Sequence, residues 1–451
     1  MKFYDFIIIG SGPAGSLIAW LLSKKKYKIC LLDRSDDKKT TLNPYVQDSS
    51  FDYLPLFSNK LGGNSELWHN KIFLLSPDEF SKKKWKFSYE EIYRFNLKLQ
   101  KKLGVPKNLI KCFSKAGLNV SQSMRFNFNN VFNYFDIKNN KNIDIIKDSC
   151  PKKIYTTRKG VVKKIDIVDS KKKVQTLLLK KSIILTAGGL GNSHLILNLF
   201  NSFNKSKINF ADHPHIKIGD FKDVELEKFN DYKKYYLTNK SIEKNIYEKS
   251  ERTFGVFQIA IFSPEDFVRN LLKKIHHSKH NFMSPLYIFL MRIYHLFYKV
   301  INFCKRITLK RKYCLEFSFS QNENSGIINL NKKLDKFGLR KININWKVLK
   351  KDKKNYYLII KKSLKKLKLN SNFNFSKSFE NVYVGQHPSC STPITHKKKI
   401  IGVDKNLKLN GYKNVFTLGS NVFPENGFTN PTWTIMTLSL RLSKYLLKSK
   451  N

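Results

Sequence analysis

The 451-residue chain carries 84 Lys and Arg against 34 Asp and Glu, a formal net charge of +50, with 41% hydrophobic and 14% aromatic residues. Apolar content of that order excludes global disorder, and the length implies two or three domains or one large interleaved unit. Such a charge draws polyanions to the surface, but the lysines run along the whole chain, and the wealth of Lys, Asn, Ile, Phe and Tyr beside scarce Ala and Arg follows equally from an A+T-rich gene. Nucleic acid is therefore not the expected partner.

Six cysteines (Cys30, Cys112, Cys150, Cys304, Cys314 and Cys390) form neither a CxxC pair nor a metal spacing, which fits a reducing compartment. The opening MKFYDFIIIGSG is too short before its glycines for a signal peptide. No stretch reaches the roughly 18 apolar residues of a spanning helix. The expected location is cytoplasmic.

In chain order, Tyr4 to Ile9 reads as a short strand buried on both faces. Gly10-Ser11-Gly12-Pro13-Ala14-Gly15 follows, then an apolar helix over Ser16 to Ser23 and a second strand over Tyr27 to Leu32, ending on Asp33. Strand, GxGxxG turn, helix, strand and acid in this order predict a dinucleotide site. Gly10 permits the tight turn, Gly12 admits a pyrophosphate to the backbone, and Gly15 lets helix and strand pack closely. The helix N-terminus offers free N–H groups to the phosphates, and Asp33 can accept from a ribose hydroxyl. The pattern does not separate FAD from NAD.

Next come Leu61-Gly62-Gly63-Asn64-Ser65-Glu66-Leu67-Trp68 and Pro77-Asp78-Glu79-Phe80. Paired glycines again let a ring or phosphate approach the backbone. Val161 to Val168 and Val174 to Leu179 predict a β-hairpin. Ile183 to Ser193 (IILTAGGLGNS) reads as a buried strand running through a glycine turn into a helix. Asp212-His213-Pro214-His215 places two histidines by an acid, without the further ligands a metal site needs.

Pro285 to Arg306 has polar residues at Arg292, His295, Lys299, Asn302 and Arg306, spaced 3, 4, 3 and 4, which predicts a helix with one narrow polar stripe. Two readings fit it: a core helix wetted on one side, or a helix lying on an anionic membrane between basic flanks. Arg311 to Phe319, Gly326 to Leu330 and Ile342 to Val348 alternate as strands of an antiparallel sheet, and Asp352 to Lys368 reads as a helix.

The C-terminal stretch from Gln386 to Leu447 contains QHPSCSTP, then Gly402-Val403-Asp404, Gly411, Asn414, Gly419-Ser420, Phe423-Pro424 and Asn430-Pro431-Thr432. It resembles the C-terminus of the glucose-methanol-choline (GMC) oxidoreductases, which reads HPxGTxxM and then GVVDxxLRVxGxxNLxVxGSSxFPxxxxxNPTxTI. The resemblance spreads over nearly the whole chain: the Leu61–Trp68 loop is similar to the family's LGGxSxxW, Pro77–Phe80 to a stretch of its sugar-oxidising branch, Ile183–Ser193 to vvlaaGgieNp, and Asp212–Pro214 to its DHP.

The resemblance implies an α/β fold in which a Rossmann-like FAD-binding domain (1–80, 150–220 and 380–451) interleaves with an α+β substrate domain (81–149 and 221–379) carrying an antiparallel sheet. It implies FAD, held by Gly10, Gly12, Gly15, Asp33, Gly62, Gly63, Asn64, Ser65, Gly188, Gly419, Ser420, Asn430, Pro431 and Thr432. His387 corresponds to the general base and Asn430 to the residue orienting the substrate hydroxyl, the helix after it turning its N-terminus to the flavin. Where relatives attach the flavin to a His, this chain has Leu67, so the FAD is expected to be non-covalent. The expected activity is oxidation of a CH–OH group of a sugar, glycoside or polyol by hydride transfer to flavin N5. The electron acceptor is left open, as are a hydroxynitrile-lyase-type reaction and a non-catalytic polyanion-binding role on the same fold. The motif's Gly, Thr and Met are Cys390, Ser391 and Ile394 here, and a side chain at 390 implies a narrower pocket.

Overall fold

The structure is a computed structural model. It describes residues 2–36, 41–42, 44–49, 56–68, 70–73, 75–105, 112–115, 118–125, 130–203, 206–221, 242–261, 313–367, 379, 382–395 and 400–448. The predicted helix over 285–306 lies outside the described residues.

The first strand, Lys2–Ile9, sits mid-sheet with parallel partners on either side, Ile7 facing Ile183 of Val174–Leu185 and Cys30 of Ile29–Leu32. Its unbroken hydrophobic run follows from that position. Tyr4, Ile7 and Ile9 enter one core, and Phe6 and Ile8 enter another on the opposite face, so both sides of the pleat are apolar. The sheet continues outward through Ile143–Ile146 beyond Ile29–Leu32, a strand that the sequence placed in the substrate unit. On the other side, Val162–Asp169 and Ser149–Thr156 extend it antiparallel. Val174–Leu185 does double duty: its first half closes the predicted hairpin, and Ile183 to Leu185 run parallel to Val415–Thr417.

Helices α1 (Pro13–Ser23) and α2 (Tyr89–Leu103) lie on one side of this sheet; α3 (Gly188–Leu199) fills the core on the other. Helix α4 (Lys350–Lys366) buries Asp352, Asn355, Tyr356, Ile359, Ile360, Ser363 and Leu364, a 3- and 4-residue spacing that leaves its lysines outside. α5 (Pro431–Lys448) packs on α1 and α2.

An eight-stranded, largely antiparallel sheet forms the second layer system, with Pro214–Phe221, Tyr313–Phe319, Thr253–Ile261 and Ile242–Ser250 at its centre. α4 covers it, Tyr356 stacking on Phe319 with centroids 4.2 Å apart. The sequence grouped Gly326 to Leu330 and Ile342 to Val348 with the 313–319 strand. They form instead a hairpin, Gly326–Leu334 with Arg340–Trp346, inside a separate four-stranded sheet. Alternation marks a half-buried strand but carries nothing about which sheet it joins. No described helix is long and apolar enough to cross a membrane.

Candidate active site

The glycine turn sits where the first strand ends. Gly10 has φ +105°, and a Cβ there would stand 2.7 Å from the Thr186 carbonyl oxygen. At Gly15 a Cβ would meet the Gly10 carbonyl oxygen at 1.8 Å, so α1 reaches the sheet only through a glycine. A Cβ at Gly12, by contrast, would have only the Gly62 carbonyl near it, at 3.9 Å. Space is open at that point, at the start of α1, where unpaired N–H groups favour an anion.

A cleft of ≈ 1160 Å³, counting its open mouth, runs from this point. Gly10, Gly12, Asp33, Gly63, Asn64, Gly188 and Gly419 line it. Gly15, Gly62, Ser65 and Ser420 are not on its wall and act from behind. The Gly62 N–H donates to Ser11 Oγ at 2.9 Å and Ser65 Oγ donates to the Gly62 carbonyl at 2.6 Å, tying the paired-glycine loop to the GxGxxG turn. Ser420 Oγ donates to the Pro388 carbonyl at 2.6 Å, and the Cys390 N–H to the Ser420 carbonyl at 3.1 Å. Asp33 accepts from the Ser11 N–H at 2.6 Å and the Ser35 N–H at 2.8 Å, which fixes its carboxylate on the wall with lone pairs to spare for hydroxyls.

Sequence reasoning missed Arg34, Tyr45 and His194, which also line this cleft. Arg34 is held by Asp335 at 2.8 Å and lies over the Tyr45 and Phe337 rings; His194 stacks on Tyr45 with centroids 4.9 Å apart. Burial first, and the Arg34 charge second, push the His194 pKa down to about 3. The ring is therefore neutral, its Nε2 donates to the Arg340 carbonyl at 2.9 Å, and Nδ1 is left as an acceptor. His194 Nδ1 and Arg34 Nε are both buried without a partner among the described residues. Two orphaned buried nitrogens beside stacked rings suit a flat heteroaromatic group such as an adenine. The residue after the strand-end acid was the available signal for Arg34; His194 had none.

A second, smaller cavity of ≈ 330 Å³, counting space open to solvent, has His387, His213, Glu79, Glu425, Thr429 and Pro431 on its wall. His387 thus shares it with the residues on either side of Asn430, while Asn430 itself, half-buried, is not on that wall. α5 reaches the larger cavity through Ile435, one turn in, and the smaller through Pro431 in its first turn. Thr432 follows Pro431 in that turn, where N–H groups lack helical partners and the dipole is positive.

Burial, and to a lesser degree His215, push the His387 pKa down to about 3, so its imidazole is neutral. Its Nδ1 is buried without a partner among the described residues. The His213 ring stands edge-on at 5.1 Å between centroids and is likewise held neutral, by burial above all. Gln386 and Cys390, on either side, have φ of +62° and +65°. Left-handed backbone at two non-glycine residues marks a loop held in shape by its surroundings. Cys390 therefore occupies a conformation that favours glycine. Its thiol, however, is buried in the apolar core with Ile394, Val422 and Phe423 and lines neither cavity. The expected narrowing of the pocket by Cys390 is corrected accordingly. No cluster of metal ligands occurs among the described residues.

A parallel sheet whose strand ends open on a glycine cradle at a helix N-terminus defines a Rossmann-like dinucleotide-binding protein. Residues 8–69 match the model of the NAD(P)-binding Rossmann-like domain. Over nearly the whole chain the fold is similar to that of two solved oxidase structures. Pyridoxine 4-oxidase from Mesorbium loti aligns over 99% of this chain and 100% of its own, with 12% identity and a TM-score of 0.64. Formate oxidase from Aspergillus oryzae aligns over 99% and 98%, with 12% identity and a TM-score of 0.61. No curated protein matches the sequence significantly.

Proposed function

We propose that this chain is an FAD-dependent oxidoreductase that withdraws a hydride from a CH–OH group, with His387 as base and Asn430 orienting the substrate oxygen. His387 carries the reading: a neutral, half-buried imidazole with an unpartnered Nδ1, in a cavity that also holds the start of α5. The GMC-like motifs and the two solved oxidases of the same fold support it. The Gly12 cradle suits the pyrophosphate, Asp33 a ribose, and the Arg34–Tyr45–His194 wall the adenine of such a cofactor.

FAD, when bound, supplies the hydride acceptor. The chain's own part is to hold the alcohol and take its proton. Burial keeps the imidazole unprotonated near pH 7, and so low a pKa makes it a weak base until charge develops beside it. It takes up the proton as negative charge gathers on the substrate oxygen beside it, which raises the imidazole's affinity for that proton. Asn430 would fix the same oxygen by a hydrogen bond, keeping the carbon in line for transfer.

For the donor we favour a sugar, glycoside or polyol, on the resemblance of Pro77–Phe80 to the sugar-oxidising branch. The test is the absorbance spectrum of the purified protein, followed by anaerobic mixing with a panel of sugars and polyols, plus pyridoxine and formate. A flavin spectrum bleached by a panel member is expected, with all the flavin released on acid precipitation because Leu67 offers no attachment point. A chain that binds no FAD, or a flavin no CH–OH compound bleaches, would overturn the proposal.

A further inference from the structure

Glu79 is 3% exposed, and no cation pairs with it among the described residues. Its carboxylate is nonetheless fully engaged. Oε1 accepts from the N–H groups of Phe428, at 2.6 Å, and Thr429, at 2.9 Å; Oε2 accepts from the Ser76 N–H at 2.9 Å. Phe428 and Thr429 are the two residues immediately before Asn430. Gly427 lets the carboxylate in: a Cβ there would stand 2.1 Å from Glu79 Oε1.

The neighbouring residues grip the same turn from other sides. Asp78 Oδ2 accepts from Tyr247 Oη at 2.9 Å, and the Tyr247 ring stacks on Phe428 at 4.6 Å. The Ser81 N–H donates to Glu425 Oε1 at 2.9 Å, and Lys84 pairs with Glu425 at 3.4 Å. Glu425, Phe428 and Thr429, just before α5, are thus tied to one short segment, Glu79 to Lys84, more than 300 residues earlier in the chain. Two N–H groups converge on Oε1 and one on Oε2, so the side chain must offer acceptors at both oxygen positions.

We propose that Glu79 is the positioning residue for Asn430, its carboxyl group fixing the 427–429 turn that leads directly into Asn430 and the first turn of α5. The inference rests on the function proposed above. Glu79 itself need touch neither substrate nor cofactor. Loss of its grip lets Asn430 wander while the Gly10–Gly12 turn, which Glu79 does not touch, is left as it was.

A double-mutant cycle on the FAD-loaded full chain tests this, with sodium sulfite as the probe, an anion that adds reversibly to flavins and bleaches them. Sulfite Kd is measured for wild type, Glu79→Gln, Asn430→Ala and the double variant. Gln keeps the size and one oxygen but turns an N–H donor toward the Ser76 N–H. Each single change is expected to weaken sulfite about 10-fold, and the double variant to match Asn430→Ala within about twofold, as residues acting through one another do. An unchanged Kd in Glu79→Gln, an unchanged Kd in Asn430→Ala, or losses that multiply in the double variant would overturn the inference. A second measurement needs no bound flavin: amide exchange at Phe428 and Thr429 should quicken in Glu79→Ala, which removes their shared acceptor, and unchanged exchange contradicts the proposal. If the wild type takes up no FAD, the functional reading itself fails, and that outcome is distinct from any result of the cycle.

Discussion

Asp212 Oδ1 accepts the backbone N–H of His387 at 2.8 Å, and the same oxygen accepts the N–H of His213 at 2.7 Å. A fully buried acid thereby holds the histidine loop by its main chain, 175 residues away in sequence. The Asp212 N–H in turn donates to Gln321 Oε1 at 3.2 Å, which anchors the acid to the antiparallel layer. Asp212→Ala leaves two buried N–H groups unmet and is expected to cost about 2–4 kcal/mol. Asp212→Asn, which keeps an oxygen acceptor, should cost less. Urea unfolding midpoints of the two variants check the order.

Glu79 makes stability depend on pH. Burial raises its pKa from 4.5 to about 7, against the opposing pull of its three backbone N–H partners. The unfolded chain therefore releases this proton near pH 4.5 and the folded chain only near 7. Glu79's contribution is fully present below pH 4.5 and is lost as pH rises through 7. Between pH 5 and 7.5 the unfolding midpoint of the wild type should fall more steeply than that of Glu79→Gln, which carries no proton to lose. Parallel curves for the two proteins would contradict the assignment.

Cys390 is 3% exposed, and burial pushes its thiol up to about 12; Cys150 is likewise buried, its thiol also at about 12. Thiols so placed are unreactive. A thiol reagent should therefore label Cys390 only on unfolding, with peptide mapping as the readout. Rapid labelling in the native protein would return Cys390 to a cavity wall.

What the sequence made legible was local. The run Gly10 to Gly15 declares its turn and helix because each glycine answers a steric need within a few residues, and α5 shows in the apolar spacing after Pro431. The two acids that shape the site were not legible. Asp212 and Glu79 work by accepting main-chain N–H groups 175 and 349 residues distant, and such pairings leave no period or spacing behind. Asp212 was noticed as part of a motif and Glu79 as part of another, but neither motif says what its carboxylate holds. Gly427, which makes room for Glu79, reads in sequence as an ordinary turn residue. The hairpin Gly326–Leu334 with Arg340–Trp346 was visible as strands, while its separation from Tyr313–Phe319 depends on long-range packing.

In the proposed reaction His387 takes the alcohol's proton. Its most direct test is stopped-flow bleaching of the bound flavin under anaerobic conditions, with the panel compound that reduces the wild type. His387→Ala should retain its FAD and bleach about 10²–10⁴-fold more slowly, the usual worth of a general base. A His387→Ala protein that holds FAD and bleaches at the wild-type rate would contradict the account.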